Sequence, residues 1–288
     1  MANLRDIKRR IKSVRNTSQI TKAMQMVASA KMRRAQELAL KGRAYVSALA
    51  NVLRHLGNAI AEGGAALMES SPHGRTLVVV VNTDKGLCGA LNANLLRDVL
   101  ARCPEDADYV TIGSKLRSTL SRLGRRVTHS FSVSDGMQEG ELKPIFELLR
   151  AGFVEKRYNR VLVAYQKFIN VMVQRPQVAE LLPITPDELL KVAEQDNIAD
   201  TDNSNFLLEP SPRALLDSIL PLYVTNLLVQ MVLEGKASEQ SARMVAMKSA
   251  TENAKTLIGE LTLEYNKARQ TQITNELLEI TTAMKAME

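Results

Sequence analysis

The apolar positions of the first sixty residues follow one rule. Stepping alternately by three and four from Leu4 meets Ile7, Ile11, Val14, Ser18, Thr21, Gln25, Ala28, Met32, Ala35, Ala39, Gly42, Val46, Leu49, Leu53, Leu56 and Ile60. No charged residue falls on this seam. A heptad step sustained this long predicts a helix over residues 1–61 that pairs with another helix. The seam is bulky at its ends and small in its middle, so a partner can approach closely there while burying less apolar area. About 57 helical residues at 1.5 Å each span roughly 85 Å.

The rhythm changes over residues 75–208. Thr76–Val81 is an unbroken apolar run, as expected of a buried strand. Asp84-Lys-Gly86 marks a turn, and Leu91–Arg102 patterns as a helix. Further strands are expected at Tyr109–Ile112, Arg126–Phe131, Arg160–Tyr165 and Val171–Gln174, the last two as a hairpin across Lys167–Asn170. Helices are expected at Ser114–Leu123 and Leu142–Lys156. Strands alternating with helices predict a Rossmann-like α/β sheet covered by helices. Leu189–Asn205 is acidic and polar, and reads as an exposed loop.

Ser211-Pro212 opens the last zone, residues 211–288, with an N-cap residue followed by Pro at the first helical position. Helical patterning then continues to the end through Leu216, Leu220, Leu227, Met231, Val245, Leu257, Leu261, Ile273, Leu277, Ile280, Met284 and Met287. The register slips between Ala268 and Ile273, and Pro221 is expected to kink the helix. The fold class is thus α/β: a long antiparallel coiled coil of N- and C-terminal helices flanking a Rossmann-like domain. The last helix is longer by about 19 residues, or roughly 28 Å. Its apolar tip should project beyond its partner, and either a second protein sleeves it, or it folds back, or it pairs between copies of the chain.

Composition adds three constraints. Aromatic residues are 4% of the chain with no Trp, while Met numbers 12, which suits slim, closely packed helices. Cys88 and Cys103 are too few for a disulfide framework and read as reduced thiols. No uninterrupted apolar run reaches the roughly 20 residues that cross a bilayer, and no signal-peptide core is evident. The chain is expected to stay where it is made and to meet a membrane only through a partner.

The net charge is +7. From Arg5 to Arg43 there are twelve basic residues against Asp6 and Glu37. Three readings are open: phosphate contacts along a nucleic acid, an acidic protein sleeve, or a solvated helix surface. The absence of aromatics before Tyr45 argues against stacking on single strands.

Catalytic signals are weak. Asp84-Lys-Gly-Leu-Cys-Gly-Ala-Leu-Asn92 could be a phosphate loop or a tight turn packed on the coil, and it matches neither G-x-x-x-x-G-K-[ST] nor G-x-G-x-x-G. His55, His73 and His129 share no metal-like spacing.

Four stretches resemble the gamma subunits of F-type ATP synthases. Ile11–Met32 (IKSVRNTSQITKAMQMVASAKM) is similar to that family's N-terminal signature. Ala237–Asn253 (ASEQSARMVAMKSATEN) and Tyr265–Glu276 (YNKARQTQITNE) are similar to its C-terminal signature, and Thr83–Asn92 to its first strand-to-helix turn. The resemblance implies a non-catalytic central-stalk rotor that couples proton-driven rotation to ATP synthesis. It implies one copy inside a ring of three alpha and three beta subunits, with the epsilon subunit and the c-ring below. The shaft itself would bind no cofactor, ATP, ADP and Mg acting at the alpha and beta subunits, and it would bind no nucleic acid and insert in no membrane. Lys22 and Met24 match the family's contact with an acidic catch loop of a beta subunit. Arg269, Gln270, Thr274 and Glu276 match an upper polar catch. Phe206-Leu-Leu-Glu209 resembles the foot at the c-ring, although Phe206 and Leu208 stand where tyrosines are expected. Neither a chloroplast-type cysteine insert nor a transit peptide is evident, which implies a bacterial source and a peripheral place on the cytoplasmic face of the plasma membrane.

Overall fold

The computed structural model describes residues 4–56, 66–69, 71, 74–137, 140–185, 209 and 211–287. Its elements are α1 (Leu4–His55), β1 (Arg75–Val81), α2 (Leu91–Arg102), β2 (Asp108–Ile112), α3 (Arg117–Arg122), β3 (Arg126–Phe131), α4 (Lys143–Val154), β4 (Tyr158–Phe168), β5 (Gln174–Leu182) and α5 (Pro212–Lys285). They form two compact units: Met1–Ala28 with Arg243–Glu288, and Ser29–Ala242. Both α1 and α5 contribute to each unit.

The larger unit is built on a five-stranded sheet in the order β3-β2-β1-β4-β5. The first four strands are parallel and β5 returns antiparallel to β4. β1 sits in the centre, so both of its faces are covered and its sequence is a continuous apolar run. Alternate residues then face two cores. Leu77, Val79 and Val81 meet α4 through Ile145, Leu149 and Phe153, together with Leu53 of α1, Leu56 just after it, and Leu220, Val224 and Leu228 of α5. Val78 and Val80 face α2 and α3 through Leu95, Val99 and Leu120.

The start of α5 is as its sequence predicts. The Ser211 hydroxyl accepts a hydrogen bond from the Ala214 amide (3.3 Å), with Pro212 at the first helical position. The helix passes through Pro221 without interruption. One 18-residue stretch of α5 has mean hydropathy 1.5 and at most two charged residues, long and apolar enough by composition to cross a membrane. Scattered polar residues hide this from a search for unbroken runs. In the fold its base feeds the core: Leu216, Leu220, Tyr223, Val224 and Leu228 are all buried.

The hairpin needs correction. β4 extends to Phe168 and β5 begins at Gln174, so Val171–Val173 is turn rather than strand. Asn170 sets this turn, its side-chain oxygen accepting the Met172 and Val173 amides at 2.9 and 2.8 Å. Such a side chain stands in for a backbone partner and stops the ladder. Beyond Gln174 the strand holds Pro176, which is tolerated because β5 is an edge.

In the smaller unit every seam position of α1 from Leu4 to Ala28 is buried or half-buried. The facing stripe on α5 is Met247, Thr251, Ala254, Ile258, Leu261, Tyr265 and Ala268, again stepping by four and three. The Thr21 and Thr251 hydroxyls meet at 2.7 Å. Leu4, the first described residue, lies as many residues before Thr21 as Ala268, the last half-buried residue of α5, lies after Thr251. The pairing is therefore antiparallel. It also corrects the expected α5 register: Leu257 is exposed and Val245 is off the stripe, whereas Thr251 and Ala254 carry it. Beyond Ala268 every described residue is exposed, so the apolar positions past the expected slip meet no partner helix among the described residues.

Candidate partner-binding surfaces

Open α/β sheets take ligands at the carboxyl ends of their strands, where the connections diverge. Here that point lies between β1 and β4, and α5 fills it. Residues 231–241 of α5 are all buried. Gly235 permits the approach, since a Cβ there would lie 2.9 Å from Val81 Cγ1. Lys236 Nζ donates to the Val133 carbonyl (2.9 Å) and lies 3.9 Å from Asp84 Oδ2. Ser238 donates to the Gln166 carbonyl (2.9 Å), and Ser241 to the Val171 carbonyl (2.7 Å).

The Thr83–Asn92 segment accordingly forms a tight turn packed on this helix. Leu87 and Gly89 take φ of 63° and 60°, and Asn92 Nδ2 donates to the Thr83 hydroxyl at 2.7 Å. Cys88 and Cys103 are buried and free. Burial, with Asp98 nearby, pushes the Cys103 thiol up to about 11 against the pull of Arg125 and Arg102, so it is a poor nucleophile at neutral pH. Among the described residues, no group of three or more His, Cys, Asp or Glu could hold a metal ion.

The surfaces that remain are on the helices. All twelve basic residues between Arg5 and Arg43 are exposed. Arg9 pairs with Asp6 (2.9 Å), Lys31 with Asp135 (2.6 Å) and Arg43 with Glu234 (2.7 Å). In the smaller unit, Lys22 is exposed and Met24 half-buried, one and three residues past the buried Thr21. They flank the seam rather than lie on it, which leaves them available to a partner. The periodicity of α1 marks both as off-seam, and only the family resemblance singled them out.

Arg269, Gln270, Thr274 and Glu276 occupy a different place. All four are exposed and follow the last half-buried residue of α5, Ala268. Thr274 donates back to the Gln270 carbonyl (2.9 Å), and Gln272 donates to Glu276 (2.9 Å). Level with Thr21 on α5 is Thr251, 18 residues or about 27 Å before Arg269 at 1.5 Å per residue. The structure thus separates these four residues from Lys22 and Met24. Interleaved with them are Ile273, Leu277, Leu278 and Ile280, exposed by 45–58%. Glu209 is exposed, and Phe206 lies outside the described residues. The contacts of Lys236 and Asp135 carry no local signal in the sequence, where Lys236 stands between Glu234 and Glu239.

Comparison with known proteins agrees with this geometry. The family model described as ATP synthase matches residues 3–287. The chain is 59% identical over 291 residues to the ATP synthase gamma chain of Akkermansia muciniphila, covering 100% of both chains. It is 43% identical over 292 residues to the gamma chain of Methylacidiphilum infernorum, also covering 100% of both. A chain in the cryo-EM structure of the Euglena gracilis mitochondrial ATP synthase (OSCP/F1/c-ring, rotational state 3) shares the fold. It superposes with a TM-score of 0.68 at 20% identity, over 99% of this chain and 94% of that one.

Proposed function

The chain belongs to the ATP synthase gamma-chain family, the central-stalk rotors of that complex, and on this premise we propose that it couples proton-driven rotation to ATP synthesis. It carries no catalytic site, and ATP, ADP and Mg act at the alpha and beta subunits. One copy turns within three alpha and three beta subunits and rides with the epsilon subunit on the c-ring, at the cytoplasmic face of a bacterial plasma membrane. Residues 1–61 and 211–288 serve as the shaft, and residues 75–208 as the body below it.

One observation carries this reading: the last turns of α5 are exposed yet hold Ile273, Leu277, Leu278, Ile280 and Met284, with Met287 exposed just beyond. An apolar helix end in water is unfavourable and calls for a socket. The twelve exposed cations of α1 suit an acidic sleeve around the shaft. Lys22 and Met24 then meet the beta catch loop, and Arg269, Gln270, Thr274 and Glu276 the upper catch. Phe206 and Glu209 belong to the foot.

An asymmetric shaft offers a different face to each of three otherwise equal sites. Each site responds only to the difference in contact energy between its conformations, and turning the shaft permutes those differences. Purifying the tagged chain from its host tests the reading. It should bring down an ATP-hydrolysing assembly with three beta subunits per copy. Recovery of the chain on DNA, with affinity falling steeply as salt rises, would instead make it a nucleic-acid binder.

A further inference from the structure

At the sheet edge opposite the one α5 fills, four strands begin side by side. Arg126 opens β3, Asp108 opens β2, Arg75 opens β1 and Tyr158 opens β4. Asp108 is the register partner of Arg126, and Arg75 of Tyr158. The Asp108 side chain is only 7% exposed. Its Oδ2 accepts the Tyr158 hydroxyl at 3.3 Å, while its Oδ1 accepts no hydrogen bond. Arg75 Nη1 and Arg126 Nε stand 3.6 and 3.5 Å from that Oδ1. A third guanidinium, Arg157, comes from the turn before β4 and pairs outward with Glu155 at 3.0 Å.

Gly74 brings these together. Its φ is +153°, and a Cβ would lie 2.8 Å from the Asn159 amide nitrogen. The entry to β1 can therefore lie against the Arg157 turn, where the Arg75 amide donates to the Arg157 carbonyl (3.1 Å). Gly74, Arg75, Asp108, Arg126, Arg157 and Tyr158 line an open concavity of about 480 Å³.

We propose that this concavity is a binding site for a phosphoryl group. Two guanidinium groups, those of Arg75 and Arg126, each approach one buried carboxylate through a single nitrogen, and Arg157 lines the same concavity. A guanidinium has five N–H donors, so these contacts leave most of each fork's donors for a ligand, and all three arginine side chains are more than half exposed. Planar forks converging from three backbone segments suit the several acceptors of a tetrahedral oxyanion, and arginine is favoured for phosphate on these grounds. The site lies wholly within the larger unit and does not rest on the rotor reading.

The purified full chain tests this at physiological salt, with inorganic phosphate followed by phosphorus NMR and with phosphatidic-acid vesicles set against phosphatidylcholine vesicles. Saturable binding of either probe is expected, weakened at least tenfold in Arg75→Gln/Arg126→Gln and unchanged in the control Arg150→Gln. Loss with free phosphate identifies a soluble ligand, and loss with vesicles alone a lipid head group; both support the site. If the double variant fails to fold, Arg157→Gln replaces it, with about a threefold weakening expected. Binding of neither probe, equal binding by variant and wild type, or displacement of phosphate by an acidic peptide at equal concentration would overturn the proposal.

Discussion

Residues 231–241 and 269–287 belong to the same helix, and both carry apolar side chains, yet their surroundings are opposite. The first stretch is buried on every side, including Glu234, Lys236, Glu239, Gln240 and Arg243 just beyond it. The second is exposed on every side, including Ile280 and Met284. Helix formation is thus not the distinction. Among the described residues, the first stretch is covered on each face, whereas the second is exposed on each face and leaves its apolar side chains uncovered. In the first stretch, polar residues are held by named contacts such as Lys236 with Val133 and Ser238 with Gln166. Substitutions there should act on folding, and substitutions in the second should act on assembly.

The largest effect expected is at Gly235. Replacing it with Leu drives a side chain into Val81, and overpacking of this kind costs about 1–3 kcal/mol. Thermal melting of the isolated chain should fall by several degrees. Gly259 of the same helix is the counterpart: a Cβ there meets nothing within 4 Å. Gly259→Ala should raise stability by roughly 0.5–1 kcal/mol through helix propensity. Equal responses at the two glycines would erase the contrast.

The next effect concerns the exposed end. Leu277→Asp combined with Ile280→Asp should leave the melting temperature of the isolated chain nearly unchanged, because exposed substitutions usually shift stability by less than about 0.5 kcal/mol. Recovery of the chain in an ATPase assembly should fall at least tenfold. Normal assembly would mean that the apolar end is not socketed. Met24→Lys is expected to be milder: assembly persists, and protons pumped per ATP hydrolysed decline. Unchanged pumping would remove Met24 from the coupling contact.

Much of this contrast is legible in the sequence, and its limits have physical causes. The α1 seam is readable because a 3–4 step sustained over eight heptads marks a helix-pairing face, and every described seam position is buried or half-buried. Leu91–Arg102 and Arg126–Phe131 matched their predicted bounds. The α5 seam departs from the large apolar positions that predict it. Thr251 and Ala254 lie on the stripe while Leu257 is exposed, since a close helix pair selects small residues over hydrophobic ones. β5 was missed because its apolar residues are sparse and Pro176 lies within it. The burial of Lys236 could not be read locally, because its partners are 103 and 152 residues away in sequence. The catch residues were named by family resemblance, and no local pattern distinguishes them.

The smallest effect sharpens how the larger unit holds α1. Lys31 Nζ donates to Asp135 Oδ2 at 2.6 Å, and Gln240 Nε2 lies 3.4 Å from Oδ1, so one loop carboxylate meets both helices. Burial alone would raise the Asp135 carboxyl. The Lys31 hydrogen bond and the charges of Lys31, Lys236 and Lys85 outweigh it and hold the group below its ordinary value. A depressed folded-state pKa means that the contribution to stability is complete above the unfolded value of about 3.9, and is lost as pH falls through the lower folded value. Both side chains are about two-fifths exposed, so solvent screening limits the pair to under about 1 kcal/mol. Urea unfolding of wild type and Asp135→Asn should therefore differ slightly at pH 7 and converge as the solution is acidified below about pH 4. A difference that stays constant across that range would assign the loss to packing rather than to the ion pair.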